Sequence, residues 1–380
     1  MRSLTTVALA LARGVTLTVA RGVRPAVPVA VTVAAALLAG VPALGQAPYF
    51  AGKTIEIVVP TAVGGPTDIL NRAFAPFLEK HIAGNPAVRI RNIPGGGTIL
   101  GSNWFAANAR PDGLTLLASP VGSKIAYIIQ NPAVRYDFRR FKLVAISGSG
   151  GVFYVSPRTG IRAAADLARA RDLVAGSPSP PGNVVTALLA YELLGLHPRV
   201  VFGFEGVGPA RLAFERGELN LDFQSTIVYV TQVAPLVREG KAIPLMSLGY
   251  INEKGEVVRD PALPDLPTVY EVYQQLHGKR PDGLLRWKAF RATFAAAWVY
   301  GRGLWAQEGT PPEVMRELHQ AIDRMNRDRE FQEQARRLLE GYALLRGDQV
   351  EATVHRGLRV TLDVVKFIRD LMQTKYGQAI

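Results

Sequence analysis

The chain has 380 residues, of which 48% are hydrophobic and 20% are charged, proportions that exclude a disordered chain and allow a sizeable buried core. It contains no cysteine, which excludes disulfides, cysteine-ligated metal sites and a lipid anchor on cysteine. The formal charge of +13 comes from scattered lysines and arginines with no nucleic-acid-binding motif around them. We therefore expect no nucleic-acid partner and a solvated basic surface that helps to gather small anions.

The N-terminal segment has the composition of an export signal. Residues 1–45 contain four arginines and no acidic residue, and residues 26–40 form an apolar run. This run has the length of a signal-peptide core and is shorter than the roughly 20 residues that a membrane helix needs. Small residues at Ala43 and Gly45 suit cleavage. We expect a cleavable signal peptide over residues 1–45, with a transmembrane anchor as the alternative; cleavage would lower the formal charge from +13 to +9.

Four segments repeat one pattern, in which an apolar strand leads through a loop rich in glycine or proline into a helix. They are residues 54–80, 87–109, 172–195 and 199–218. Strands that alternate with helices predict parallel sheets built from βαβ units. In such sheets the loops after the strands open on one edge, which is where ligands bind.

The spacing of these units predicts a two-lobed α/β fold, with a mainly parallel sheet and flanking helices in each lobe. Residues 143–157 read as a strand, a glycine-rich bend and a strand, which suits a crossover between lobes. We expect the first lobe to comprise residues 48–149 and 250–380, and the second lobe residues 150–249.

The C-terminal part contains one clear helix signal. Thr310, Pro311 and Glu313 predict a capped helix start. An apolar stripe follows at Val314, Leu318, Ile322 and Met325. Residues 252–290 mix prolines with charged and apolar residues, and we assign no elements to them from the sequence.

The sequence contains no complete motif for catalysis, for a cofactor or for a metal. "AGKT" at residues 51–54 is not a phosphate loop, because Ala47 stands where the first glycine is required and the segment precedes its strand. "GSGG" at residues 148–151 lacks the leading glycine of a nucleophile elbow. The five histidines are dispersed, and no carboxylate pair stands out. We expect no enzyme activity, no cofactor and no metal.

The function that the sequence still supports is the binding of an anion at helix N-termini. Such termini present unpaired N–H groups and a partial positive charge, and glycines let a ligand approach the backbone. The candidate glycines and hydroxyls are Gly64, Gly65, Gly96, Gly97, Thr98, Ser119, Ser177 and Ser179. The alternative at each loop is a glycine that only forms a tight turn. For Asp68 we expect a structural role, bonding to loop N–H groups, with contact to a ligand ammonium or hydroxyl as the alternative.

Several stretches together resemble the tripartite tricarboxylate transporter substrate-binding proteins, the TctC-like or Bug receptor family. They are "KTIEIVVPTAVGGPTDILNRAF", "NIPGGGTILGSNWFAANARPDGLTLL", "GVGPARLAFERGELNLDF", "LPDLPTVYE" and "GTPPEVMRELHQAI". These landmarks occur in order from about residue 48 to about residue 355. The resemblance implies a periplasmic flytrap that closes on a small carboxylate.

The resemblance also implies particular site residues and partners. The first loop (Thr61 to Asp68) and the second (Pro94 to Thr98) would hold one carboxylate, partly through water. The other lobe would contribute residues from Ser177 to Asn183 and from Phe204 to Val207. The implied residues beyond the glycines and hydroxyls above are Thr61, Ala62, Thr67, Asn183, Phe204, Glu205 and Gln224. A monomeric receptor would deliver its small organic anion to a membrane permease with one large and one small subunit.

Three loops depart from the family pattern. Ala62 and Val63 precede the two glycines where a Pro-Gly-Gly or Ala-Gly-Gly step is common, and the third loop is the proline-rich "GSPSPPGN". Asn220 and Gln224 stand where acids are common, so the resemblance does not identify the ligand. Two alternatives stay open: a subunit that presents its ligand to a membrane sensor kinase, and an exported α/β enzyme.

Overall fold

The computed structural model describes residues 47–178, 180–252, 255–339 and 341–380; the predicted signal peptide lies outside them. The strands are β1 (Thr54–Val59), β2 (Ala87–Asn92), β3 (Thr115–Ser119), β4 (Lys142–Ser147), β5 (Gly151–Val155), β6 (Val174–Ser177), β7 (Arg199–Phe202), β8 (Leu221–Ser225), β9 (Ile243–Ser247), β10 (Tyr250–Ile251), β11 (Val257–Val258), β12 (Arg302–Ala306) and β13 (Leu344–Arg346).

The helices follow the strands in the order that the four repeated segments predict. They are α1 (Pro66–His81), α2 (Ile99–Asn108), α3 (Val121–Ile128), α4 (Val184–Leu194), α5 (Val207–Glu215), α6 (Thr226–Val228), α7 (Ala234–Arg238), α8 (Val269–His277), α9 (Leu285–Thr293), α10 (Pro312–Arg327), α11 (Arg329–Leu338), α12 (Gly347–Gly357) and α13 (Leu362–Tyr376). A π-helical turn, Phe294–Val299, extends α9. Within the described residues, no helix combines the length and the apolar character needed to cross a bilayer.

Two sheets with helices packed against them form the predicted two-lobed α/β fold. The first has the order β13-β4-β12-β3-β1-β2, in which β4, β3, β1 and β2 run in one direction. The second has the order β7-β6-β8-β5-β9, in which only β5 runs against the others. Because β1, β2 and β3 are parallel neighbours, their carboxyl ends share one edge, as do those of β6, β7 and β8.

Residues 285–299, which we call the crossing helix, connect the two halves of the molecule. This segment packs against α3, which follows a strand of the first sheet, and against α4, which follows a strand of the second. Phe290, Phe294 and Trp298 recur at helical spacing and are at most 1% exposed. One apolar cluster therefore includes Leu117 of the first sheet, Phe153 of the second, and the crossing helix.

In the C-terminal part, the structure contains helices in a segment left unassigned from the sequence, and it contradicts one prediction. Residues 252–290 contain α8 and part of α9, and Thr268 caps α8 by accepting a bond from the Glu271 amide at 3.1 Å. Thr310 does not cap α10, because its hydroxyl donates to the Gln307 carbonyl at 2.8 Å and so closes the preceding turn. The apolar stripe of α10 is buried as predicted.

Candidate functional site

Four strand-to-helix loops lie at the carboxyl edges of the two sheets. We number them loop 1 (residues 60–65), loop 2 (residues 93–98), loop 3 (residues 178–183) and loop 4 (residues 203–206). Loops 1 and 2 follow neighbouring strands of the first sheet, and loops 3 and 4 follow neighbouring strands of the second.

Loop 2 touches loop 3, which brings the two sheets' loops together. A Cβ atom at Gly97 would lie 2.1 Å from the Pro181 carbonyl oxygen, far inside contact distance. Gly97 also has a φ of +61°, which favours glycine. This position therefore requires glycine for its conformation and for the close approach between lobes.

Loop 2 has an unusual backbone over four consecutive residues. Gly95, Gly96, Gly97 and Thr98 have φ values of +130°, +56°, +61° and +86°. A β-branched residue at positive φ is a genuine outlier, and such strain persists only where the surroundings enforce it. The glycine run is thus needed for the conformation, and Thr98 is held in place by other contacts.

Those contacts come from two serines that the sequence analysis did not single out. The Ser123 hydroxyl donates to Thr98 Oγ1 at 2.9 Å, and the Ser102 hydroxyl donates to the Thr98 carbonyl at 2.9 Å. Ser102 and Ser123 also lie within 2.9 Å of each other and are fully buried. Loop 2 is therefore fastened to the starts of α2 and α3. A serine three or four positions into each helix is the only local signal for this network.

Asp68 braces loop 1, as the structural interpretation of this residue predicts. Its carboxylate accepts from the Gly64 amide at 2.8 Å, from Asn92 at 2.9 Å and from Arg72 at 3.0 Å. Burial opposes its ionisation, but Arg72, Gly64 and Asn92 together outweigh burial and lower the Asp68 pKa below its usual value. Asn92 also donates to the Thr61 carbonyl at 3.0 Å, so one carboxylate organises both ends of the loop.

Among the described residues, three buried oxygens at the ends of β1 and β8 have no hydrogen-bond partner. They are Thr61 Oγ1 after β1, and Gln224 Oε1 and Ser225 Oγ at the end of β8. Buried polar atoms are nearly always bonded, so unpaired ones need an explanation such as a ligand or an ion. Thr61 and Gln224 belong to the predicted site, whereas Ser225 does not.

Gln224 is held in a buried polar cluster. Its amide nitrogen donates to the Val207 carbonyl at 2.8 Å and to the Asp222 carboxylate at 3.0 Å. The Tyr154 hydroxyl also donates to Asp222. Burial raises the pKa of Asp222 above its usual value. Since Val207 starts α5, this cluster positions the end of loop 4.

The remaining predicted residues of the second lobe differ in accessibility. Ser177 is buried and its hydroxyl donates to the Pro178 carbonyl at 2.8 Å. Phe204 packs against the apolar core beneath α5, and Glu205 is exposed. Asn183 precedes α4 without capping it through its side chain. Ser179 lies outside the described residues.

Ser119 is buried beneath the loops and is bonded to protein. Its oxygen accepts from Trp305 Nε1 at 2.8 Å and from Lys124 Nζ at 3.0 Å. Lys124 is fully buried, and it also donates to the Gly301 carbonyl at 3.0 Å. Burial lowers the pKa of Lys124 to about 7. No local pattern in the sequence singles out this lysine.

Thr67 lines a cavity of about 40 Å³ beneath α1, together with Ser119 and Ser147. The Ser147 hydroxyl is buried without a hydrogen-bond partner among the described residues. Most of the other lining residues are apolar, and the cavity has room for one or a few water molecules. Ala62, Gly64 and Gly96, by contrast, lie in the exposed or half-buried parts of loops 1 and 2. Over the described ranges, no group of three His, Asp or Glu side chains is placed to hold a metal ion.

The chain thus has a two-lobed α/β fold in which the strand-to-helix loops of the two sheets meet. Solved structures have the same fold. BugD, a periplasmic binding protein, is 19% identical with a TM-score of 0.59, and the match covers 87% of this chain and 99% of BugD. MatC from Rhodopseudomonas palustris with bound malate is 24% identical with a TM-score of 0.57, covering 83% and 99%. An R. palustris protein with adipate is 19% identical with a TM-score of 0.59, covering 86% and 98%.

Two curated relatives match most of the chain. A UPF0065 protein from the gbd 5' region of Cupriavidus necator is 27% identical over 304 residues, 77% of this chain and 81% of the relative. BugT from Bordetella pertussis is 28% identical over 246 residues, 62% and 70% respectively. No protein-family model matches the chain. These findings confirm the predicted resemblance to the TctC and Bug receptors.

Proposed function

We propose that the protein is an extracytoplasmic receptor that binds a small organic anion of the di- or tricarboxylate type between its lobes. In this proposal the first lobe comprises residues 48–149 and 250–380, and the second lobe residues 150–249. The observation that carries the proposal is the contact between Gly97 and Pro181, which joins loops from the two sheets. Such a contact is expected of a receptor whose lobes have drawn together.

The loops supply the chemistry that a carboxylate needs. The helices that follow them offer unpaired N–H groups and the positive end of the helix dipole. Thr61 and Ser225 add hydroxyls without a described partner. Bonds from such donors to a charged group contribute roughly 1.5–3 kcal/mol each. A few of them, less the cost of association, are enough for micromolar affinity, about −8 kcal/mol.

Similar structures favour a carboxylate over other anions. MatC is described with malate and another R. palustris protein with adipate, and both resemble this chain across most of its length. We extend the class of ligand, not its identity, to this chain, since the ends of β6 and β8 carry a proline-rich loop and Gln224.

The proposal includes the route of the ligand. The precursor would be exported by its N-terminal signal and cleaved, and the mature monomer would deliver its cargo to a tripartite tricarboxylate-type permease. The receptor would perform no chemistry itself.

Calorimetry on protein stripped of ligand by unfolding and refolding tests the proposal. We expect at least one of succinate, malate, adipate, citrate or an aromatic dicarboxylate to bind with one site and micromolar or tighter affinity. A folded, stripped preparation that binds none of these at millimolar concentration would overturn it.

A further inference from the structure

A second cavity lies away from loops 1 to 4. It has a volume of about 820 Å³, is open to solvent, and is lined by residues of β11, α8, α9 and the junction between α12 and α13. None of its lining residues belongs to the four loops. Ligand cavities usually measure about 300–1,000 Å³, so this one has room for an organic molecule considerably larger than a four-carbon dicarboxylate.

Part of the cavity lining is apolar. Trp287, Tyr270, Val257 and Val364 line it. The rings of Tyr270 and Trp287 lie 5.1 Å apart, and Trp287 is only 4% exposed, so the indole is fixed in the wall. This surface suits an aromatic or acyl group.

The cavity lining also carries an excess of positive charge. Arg280, Lys288, Arg291 and Arg359 line the cavity, against the acidic Glu256 and Asp282. Arg280 is paired with Asp282 at 2.9 Å.

The remaining three cations are available to a ligand. Arg291 donates to the Gly255 carbonyl at 2.9 Å, which leaves its charge uncompensated. Within the part of the chain that the structure describes, Lys288, Arg291 and Arg359 form no ion pair within 4.0 Å, although Asp363 lies within electrostatic range of Lys288. Lone surface lysines are usually solvated, but these cations surround a concave wall that contains a fixed tryptophan.

The helix α9 places apolar and cationic lining residues side by side. Trp287, Lys288, Arg291 and Ala295 lie on the face that lines the cavity. Phe290 and Phe294 lie on the adjoining face, in the core, and Trp287 at the border stacks on Phe290 with ring centroids 5.6 Å apart. The helix therefore holds its charged face rigidly against the α12–α13 junction, which supplies Arg359.

We propose that this cavity is a binding site for a second, amphipathic organic anion, with an acidic head group on Lys288, Arg291 and Arg359 and an aromatic or acyl body against Trp287. This site does not depend on the function proposed for the interlobe loops.

Fluorescence titration with 1-anilinonaphthalene-8-sulfonate tests the proposal on the full mature chain, stripped of ligand. We expect saturable binding that octanoate displaces and that octyltrimethylammonium does not. Charge-assisted contacts are the strong ones, so the double variant Lys288→Gln/Arg359→Gln should weaken the probe by about tenfold or more. The matched control is Lys279→Gln. Lys279 is an exposed cation outside the cavity lining, so this change should alter affinity less than twofold.

Each other outcome overturns the proposal. Equal probe affinity in the double variant and the wild type would show that the cations do not bind the head group. Equal displacement by the alkylammonium ion would show an apolar surface without charge selection. Displacement by a dicarboxylate that saturates the interlobe loops would place the probe there instead. Both changed side chains are exposed, so circular dichroism and melting temperature should match the wild type.

Discussion

Loop 2 reaches the second sheet through backbone atoms, whereas the crossing helix reaches it through buried aromatic side chains. Gly97 meets the Pro181 carbonyl with no side chain between them. Trp298, by contrast, packs its ring 5.5 Å from that of Phe223 and donates from Nε1 to Thr186 at 3.0 Å. The two halves of the molecule are thus joined by one contact that buries little apolar surface and one that buries a great deal.

This difference assigns different roles to the two connections. Burying an aromatic side chain contributes about 1.5–3 kcal/mol, so the crossing helix is a persistent link. A backbone contact between loops costs little to break and can be remade with a ligand between the lobes. We therefore expect the lobes to open at the loops while the crossing helix stays packed.

The largest effect should come from Gly97→Ala. The new methyl group would clash with the Pro181 carbonyl, and alanine is disfavoured at a φ of +61°. Calorimetry should show a loss of dicarboxylate affinity of about 100-fold.

Gly182→Ala is the matched control for this change. A Cβ at Gly182 would have no atom within 4 Å, and the residue is not at positive φ, so affinity should change less than threefold. Similar losses in the two variants would mean that the contact between the loops does not matter for binding.

Lys124→Met tests a buried lysine that bonds to both regions. Its ammonium donates to Ser119 below the loops and to the Gly301 carbonyl after the crossing helix. Burial lowers its pKa from 10.5 to about 7, so above pH 7 the unfolded chain binds more protons than the folded one. Wild-type stability should therefore rise relative to that of the variant, by about 3 kcal/mol between pH 7 and pH 9.5.

Urea unfolding at both pH values measures this difference, with the exposed Lys241→Met as the control. The control should track the wild type. A gap between wild type and Lys124→Met that is the same at pH 7 and pH 9.5 would contradict a neutralisable buried lysine.

Asp68→Asn should loosen loop 1 with a smaller effect, about 1–3 kcal/mol at pH 7, because the carboxylate accepts three hydrogen bonds. The pKa of Asp68 in the folded state lies below the usual 3.8. This stabilisation is therefore complete above pH 3.8 and is lost as the pH falls through the folded-state pKa. Urea unfolding of wild type and variant should thus differ most at pH 7 and progressively less as the pH falls below 3.8.

The exposed Asp265→Asn serves as the control for this prediction, and should differ little from the wild type at either pH. If Asp68→Asn were as stable as the wild type at pH 7 but bound no ligand, Asp68 would be a ligand contact and not a brace.

The smallest effect should come from Trp298→Phe, which removes the bond to Thr186 while keeping an aromatic ring. A double-mutant cycle with Thr186→Val isolates the bond, with an expected coupling of about 1 kcal/mol in urea unfolding. A coupling of zero would leave apolar packing alone as the link between the crossing helix and α4.

The sequence predicted the loops better than it predicted the crossing helix, and the reason is physical. Glycines after an apolar strand have a local meaning, as does Asp68, whose predicted bond to a loop amide is the one to Gly64. In the crossing helix, Phe290, Phe294 and Trp298 have helical spacing, but no capping side chain marks the start of α9, so the sequence gives no signal for where the helix begins.

Other features depend on contacts between distant parts of the chain. That Gly97 meets Pro181, or that Lys124 is buried beside Gly301, follows from the packing of sheets and not from neighbouring residues. The helix at residues 269–277 is a different case. Thr268 and Glu271 form a capping box that the sequence displays.

A crystal structure of the stripped protein saturated with its tightest-binding di- or tricarboxylate tests the central claim most directly. We predict one ligand between the lobes, with a carboxylate bonded to amides of loops 1 and 2 and within reach of loop 3 or loop 4. Ligand density found only in the cavity beside α9, with the loops closed and empty, would contradict the account.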